Sequence, residues 1–109
     1  MGGSGRDTVY GGTGNDVIAG GSDSDSLFGG DGQDTITGSS GRDLIDGGKG
    51  DDFLQGGEDS DSINGDTGDD RITGGTGQDT INGGAGNDTI SGNSNNDSIN
   101  GGGGNDVLD

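Results

Sequence analysis

Aliphatic residues recur along this chain at one fixed interval. Val9, Ile18, Leu27, Ile36, Ile45, Leu54, Ile63, Ile72, Ile81, Ile90, Ile99 and Leu108 stand nine residues apart, flanked mostly by polar neighbours. A polar-apolar-polar triplet rich in β-branched side chains, such as Thr35-Ile36-Thr37, predicts a very short strand with its middle side chain turned inward. Between triplets lies a glycine-rich hexamer, seen in full as Gly83-Gly84-Ala85-Gly86-Asn87-Asp88. Glycine supplies the positive φ angles that other residues resist, so the hexamer reads as turn. Counting in nines consumes Gly2 to Asp109 in twelve copies with no insertion or deletion, leaving only Met1. Positions within a copy are numbered one to nine below, with the first glycine as one and the aliphatic residue as eight.

A repeat this short predicts a solenoid. Turn, strand, turn, strand closes one coil every two copies, or eighteen residues. Odd copies then stack Val9, Leu27, Ile45, Ile63, Ile81 and Ile99 in one sheet, and even copies stack Ile18, Ile36, Leu54, Ile72, Ile90 and Leu108 in the sheet facing it. The expected fold is all-β: a parallel β-roll of two facing parallel sheets, about six coils long, forming a single domain over residues 2–109. At a strand spacing of about 4.8 Å the body is about 29 Å long.

Composition changes the picture. Only 19% of the residues are hydrophobic, 31 are glycine, and the formal net charge is −17. Low hydrophobicity with high net charge is the signature of disorder. Twelve aliphatic side chains bury too little apolar surface to offset the conformational entropy of ordering the whole chain. The chain alone is therefore expected to be unfolded until something positively charged completes it. The absence of cysteine removes disulfides and thiolate metal sites, and the absence of histidine removes imidazole bases and the nucleophile pairs that depend on them. Four basic residues (Arg6, Arg42, Lys49, Arg71) against 21 acidic ones argue against nucleic acid or an anionic membrane as partner. No apolar run is long enough to span a membrane, and Gly2 follows Met1 where a signal peptide would build its apolar core. A non-enzymatic role is expected.

The candidate chemistry sits at position six, which is aspartate in every copy: Asp7, Asp16, Asp25, Asp34, Asp43, Asp52, Asp61, Asp70, Asp79, Asp88, Asp97 and Asp106. Coiling stacks these carboxylates in two columns, one on each edge of the roll, where they repel one another unless a cation lies between them. Carboxylate and carbonyl oxygens are hard ligands, which favours Ca²⁺. In an extended turn the carbonyls of positions one and three point one way along the axis and those of two and four the other. A site between stacked turns then collects four carbonyls and two carboxylates, with each interior aspartate bridging the ions above and below. In the central copies the carbonyl donors are Gly38, Ser39, Ser40, Gly41, Gly47, Gly48, Lys49, Gly50, Gly56, Gly57, Glu58, Asp59, Gly65, Asp66, Thr67 and Gly68. Six turns on each edge leave five interfaces apiece, so about ten calcium ions are expected. The end coils lack a capping element, which predicts fraying or end-to-end self-association.

The nonapeptide resembles the RTX (repeats-in-toxin) family, and the resemblance covers residues 2–109. It implies a parallel β-roll with calcium between successive turns, the position-six aspartates and the turn carbonyls as ligands, and folding triggered by calcium outside the cell. It also implies a secreted bacterial origin. Such proteins usually carry an activity-bearing region and a C-terminal secretion segment that the repeats do not supply. An excised or designed repeat array is therefore the expectation.

Departures from the motif fall mostly on glycines. Position four is Asp23, Asp59 and Asn95 in three copies spaced by 36 residues, and position two is Ser39, Asp66 and Asn93. Aspartate and asparagine tolerate positive φ best, which makes Ser39 the uncomfortable one if position two requires it. Asp23-Ser24-Asp25 begins like an EF-hand loop but has Leu27 for the third acidic ligand, Phe28 for the glycine and Asp34 for the closing glutamate, and is rejected. Tyr10 and Phe28 are expected to stack on an outer face. Asn64, Asn82 and Asn100 are expected to form a ladder there, while Leu44 and Phe53 read as scattered surface residues. Two other classes compete with the calcium module. One is an acidic disordered spacer. The other is an adhesion or ice-binding face suggested by Thr35-Ile36-Thr37, which Phe53 and Arg71 interrupt.

Overall fold

The computed structural model describes all of residues 1–109, and every regular element in it is a strand. The strands are β1 (Gly3–Ser4), β2 (Thr8–Thr13), β3 (Val17–Ser22), β4 (Ser26–Asp31), β5 (Thr35–Ser40), β6 (Leu44–Lys49) and β7 (Phe53–Glu58) in the first half. They continue as β8 (Ser62–Thr67), β9 (Arg71–Thr76), β10 (Thr80–Ala85), β11 (Thr89–Ser94), β12 (Ser98–Gly103) and β13 (Val107–Leu108). Odd-numbered strands make one parallel sheet of seven, and even-numbered strands make a parallel sheet of six facing it. Register is uniform at eighteen residues: Ile45 pairs with Leu27 on one side and Ile63 on the other, and Leu54 with Ile36 and Ile72. This is the expected β-roll. No helix is long and apolar enough to cross a membrane.

The strands are longer than the triplets that predict them. Strands β2 to β12 each run six residues, through positions seven to nine and on through positions one to three of the next copy, while β1 and β13 at the ends have two. Only positions four to six remain as turn, for example residues 14–16 and 23–25. The extension has a physical cause. Position-one amides join the interstrand ladder, as Gly2 N–H donates to the Ala19 carbonyl at 2.8 Å and Gly92 N–H to that of Asp109 at 2.9 Å.

Position two takes positive φ in every copy, including the three without glycine: Ser39 at 92°, Asp66 at 76° and Asn93 at 72°. Position four does the same, with Asp23 at 78°, Asp59 at 74° and Asn95 at 81°. Two left-handed residues per nonapeptide bend the chain through each corner, and the remaining seven stay in the ordinary region.

The core is a single file of position-eight side chains. Ile18, Leu27, Ile36, Ile45, Leu54, Ile63, Ile72, Ile81 and Ile90 are buried and in mutual contact, with Val9 and Ile99 partly buried against them. Leu108 is half exposed. The expected core of twelve is thus reduced to nine buried members, and the three that fall short, Val9, Ile99 and Leu108, all lie in the end coils. With one apolar residue per strand the slab is only 12 Å thick. On its outer face Tyr10 and Phe28 stack, ring centroids 5.0 Å apart and planes 12° apart. The asparagine ladder is also present: Asn82 Nδ2 donates to Asn64 Oδ1 at 2.9 Å and Asn100 Nδ2 to Asn82 Oδ1 at 3.2 Å.

Candidate metal centre

Each turn ends on its position-six aspartate, and the ladder fixes how that side chain points. The N–H of one aspartate donates to Oδ1 of the aspartate one coil later, as Asp25 to Asp43 at 2.8 Å and Asp34 to Asp52 at 2.7 Å. The bond repeats down both edges, from Asp7 to Asp25 and Asp16 to Asp34 through to Asp79 to Asp97 and Asp88 to Asp106. Every interior carboxylate therefore has one oxygen spoken for.

The other oxygen has no partner. Oδ2 of Asp7, Asp16, Asp25, Asp34, Asp43, Asp52, Asp61, Asp70, Asp79 and Asp88 is buried without a hydrogen bond. Asp97 and Asp106 escape this because no coil follows to cover them. A buried, unpaired anionic oxygen is costly, so ten of them in register fit a bound counter-charge.

Position one shows what surrounds that oxygen. A Cβ built on Gly20 would stand 2.5 Å from Asp25 Oδ2 and 2.9 Å from the Gly38 carbonyl oxygen of the next coil. On Gly74 it would meet Asp79 Oδ2 and, at 2.9 Å, the Gly92 oxygen. The position-one glycine thus leaves a cradle into which a carboxylate oxygen of its own copy and a carbonyl of the following coil both project. Any side chain would fill it.

The carbonyls alternate along the axis. Those of position one (Gly38, Gly47, Gly56, Gly65) face the preceding coil, whereas those of position two (Ser39, Gly48, Gly57, Asp66) and position four (Gly50, Asp59) face the following one. Position three faces back, and on one edge it is hydrogen-bonded: the Lys49 and Thr67 oxygens accept from Gly32 and Gly50 N–H, both at 2.8 Å. No three acidic side chains converge anywhere, so a cation here would complete its shell from the main chain. The donor set is all oxygen, anionic and neutral mixed, and fits a hard divalent ion.

Electrostatics point the same way. Burial raises the Asp52 carboxyl to about 6, with the Asp34 N–H bond pulling it down and the Asp34 carboxylate pushing it up. Burial raises Asp61 and Asp70 to about 7, against the N–H bonds from Asp43 and Asp52 and helped by those residues' own charges. Asp43, Asp79 and Asp88 are raised by burial too, against the N–H bonds from Asp25, Asp61 and Asp70, with the charges of Asp25, Asp97 and Asp106 respectively adding to the rise. Without a cation the middle of each column holds protons that a solvated aspartate would release.

One set of turn contacts has no counterpart in the sequence reading. On the edge formed by even copies, position-five side chains make a second ladder running the opposite way. Asn15 Oδ1 accepts from Gln33 N–H at 2.8 Å, Asp51 from Asp69 at 2.9 Å, Asp69 from Asn87 at 2.7 Å and Asn87 from Asn105 at 3.0 Å. Short acceptor side chains spaced by eighteen residues were the signal available for it.

A solenoid of nonapeptide coils with an unpartnered carboxylate oxygen buried at each interface defines a class: an all-β repeat module with acidic turns. The chain belongs to the RTX calcium-binding nonapeptide repeat family, whose model matches residues 1–36, 28–63, 37–72 and 73–108. Neither a comparison with curated proteins nor one with solved structures gives a match.

Proposed function

We propose that this chain is a calcium-operated structural module, expanded when metal-free and ordered into the roll when ions occupy the interfaces between its turns. The observation that carries the reading is the row of ten buried Oδ2 atoms without partners, each beside a carbonyl of the next coil. Calcium would supply the missing positive charge, and Oδ2 of Asp7 to Asp88 together with the alternating turn carbonyls would hold it. Ten divalent ions carry twenty positive charges against a net −17, which removes most of the self-repulsion. The role is structural and non-catalytic, and family kinship supports a secreted setting rich in calcium. At free calcium ten- to twentyfold above Kd, each site contributes about 1.6 kcal/mol to folding, and at cytosolic calcium almost nothing. End coils whose interfaces are incomplete would fray, or would stack on a second molecule at high protein concentration.

Far-UV circular dichroism during a calcium titration tests the switch, and calorimetric titration counts the ions. A cooperative gain of strand signal with about ten ions bound is expected. Native-like strand content in excess chelator would refute the switch, and a count of two or three would refute the stacked-turn sites.

A further inference from the structure

Three members of the outer ladder share a feature unrelated to metal. Asn64, Asn82 and Asn100 each precede a position-one glycine, so the column is a stack of Asn-Gly junctions: Asn64-Gly65, Asn82-Gly83 and Asn100-Gly101. The glycine is obligatory, because a Cβ on Gly65 would strike Asp70 Oδ2 and the Gly83 oxygen, and on Gly83 those of Asp88 and Gly101. The asparagine is not obligatory, since position nine holds Thr37, Gln55, Thr73 and Ser91 in the other sheet.

Asn-Gly is the backbone pair most open to cyclisation. The glycine nitrogen gives up its proton and attacks Cγ of the asparagine. An N–Cγ bond forms, the Cγ–Nδ2 bond breaks, and the nitrogen leaves as ammonia. Water then opens the ring on either side, giving aspartate or an isoaspartyl link in which the main chain runs through Cβ and Cγ. No oxidant or reductant is needed.

We infer that these three junctions are a built-in record of time spent unfolded, locked in the roll and reactive outside it. Within the roll every element of the attack is restrained. Asn64, Asn82 and Asn100 are the third residues of β8, β10 and β12, held extended in a parallel ladder with partners at eighteen residues. Cyclisation requires rotation about the asparagine ψ to bring the glycine nitrogen over Cγ, which breaks pairing with the neighbouring strands. The Asn82 carboxamide is further held by donating to Asn64 and accepting from Asn100. Asn100 receives no such bond and lies in the last coil, so it is the first to react in the folded chain.

The damage does not reverse on refolding. An isoaspartyl link adds a main-chain bond between positions eight and one, and the nine-residue register that places Oδ2 over its glycine is lost at that copy. Plain aspartate is milder, yet three carboxylates in one column repel where three amides had bonded. A chain left unfolded thus forfeits its ability to form the roll.

The test is peptide mapping by mass spectrometry after incubation at mildly alkaline pH, with circular dichroism recording the folded fraction. Three samples are compared: the chain with calcium, the chain with chelator, and the chain in denaturant. The chain in denaturant should convert at all three junctions, gaining the mass difference between an NH₂ and an OH group at each. The folded chain should convert roughly tenfold or more slowly, with Asn100 first and Asn82 last, as protection follows local opening. Equal rates in folded and denatured chain, or no conversion in either, would overturn the inference. The chelator arm alone depends on the calcium switch: slow conversion there with fast conversion in denaturant would sink the switch and leave this inference standing. The triple variant Asn64→Thr, Asn82→Thr, Asn100→Thr should lose the conversion under all conditions and refold after prolonged denaturation. Failure of wild type and variant to differ in refolding yield would overturn the claim that the record is functional.

Discussion

The two edges of the roll carry the same carboxylate column on different scaffolds. The edge of even copies has glycine at position four throughout, and there Gly14, Gly32, Gly50, Gly68 and Gly86 N–H donate to the position-three carbonyls one coil on, at 2.8–2.9 Å. With the position-five ladder added, neighbouring even turns are bonded at three successive residues everywhere except between Gln33 and Asp51. The edge of odd copies places Asp23, Asp59 and Asn95 at position four and Arg6, Ser24, Arg42 and Ser60 at position five. Its bonds at these positions are fewer and irregular: Gly5 N–H to Asp23 Oδ2, Arg42 N–H to Ser24 Oγ and Gln78 N–H to Ser60 Oγ. An open polar cleft of about 670 Å³ lies along this edge between Arg6, Asp23, Arg42 and Asp59. Yet the orphaned Oδ2 atoms are distributed five to each edge. Positions one and six are enough to make the cradle and its unpartnered oxygen, and positions four and five set how neighbouring turns are joined.

The largest effect is expected where the edges agree. Gly56→Ala on the odd edge and Gly65→Ala on the even edge each put a methyl group against a carboxylate oxygen and a carbonyl. Each should destabilise the calcium-bound roll by about 3 kcal/mol, read as a shift of the thermal or denaturant midpoint. A harmless substitution on one edge only would show that the two edges do not share one site.

Next comes a reversal of sign. Asp61→Asn and Asp52→Asn, one per edge, keep the Oδ1 acceptor and remove the buried charge. In chelator each should ease formation of the roll, while in calcium each should raise the calcium midpoint of folding by weakening the sites around its turn. Asp106→Asn, in the last coil, should move the midpoint only slightly. Circular dichroism titrations of the variants decide this, and an equal shift for Asp52→Asn and Asp106→Asn would end the idea that interior aspartates serve two ions.

Acidity should act like those mutations. Asp52 at about 6 and Asp61 and Asp70 at about 7 lie above the ordinary value of 3.8, so between those limits the roll binds more protons than the unfolded chain. In chelator, stability should therefore rise as pH falls from 7 toward 4, be fully present below 3.8, and be lost as pH climbs through 7. In calcium the trend inverts, because protons and metal compete for one oxygen. Compaction followed by scattering across that range tests it, and a chelated chain that expands on acidification would contradict the buried-carboxylate picture.

The smallest effects separate the scaffolds. Asp59→Gly gives an odd turn the position-four residue of the even edge and relieves a non-glycine residue at φ 74°, so a gain of about 0.5–1 kcal/mol is expected. Asp23→Gly should gain less, since it also loses the bond from Gly5 N–H. Ser39→Gly, at φ 92°, should gain about 1 kcal/mol as the clearest relief of strain. A loss of stability in Ser39→Gly would mean that the unfolded-state entropy of glycine outweighs that strain.

The nonapeptide by itself determined the coil, the two sheets, their eighteen-residue register and the two aspartate columns. The reason is that a strict period leaves a chain no other way to stack identical side chains: once Ile36 faces inward, Leu54 and Ile72 must follow. It also placed the Tyr10–Phe28 stack and the Asn64–Asn82–Asn100 ladder, both of which need only the same register. Three things waited for the tertiary structure. Strands grew from three residues to six because glycine at position one extends as readily as it turns, and only pairing with the next coil selects between the two. Whether position two needs positive φ was undecidable from Ser39, Asp66 and Asn93, since tolerance of a conformation does not reveal that the conformation is required. The division of labour within each carboxylate from Asp25 to Asp88, Oδ1 to an amide and Oδ2 to no partner, depends on the distance between coils. Spacing along the chain orders the aspartates in a column, but only packing across it decides which of their oxygens remain unpaired.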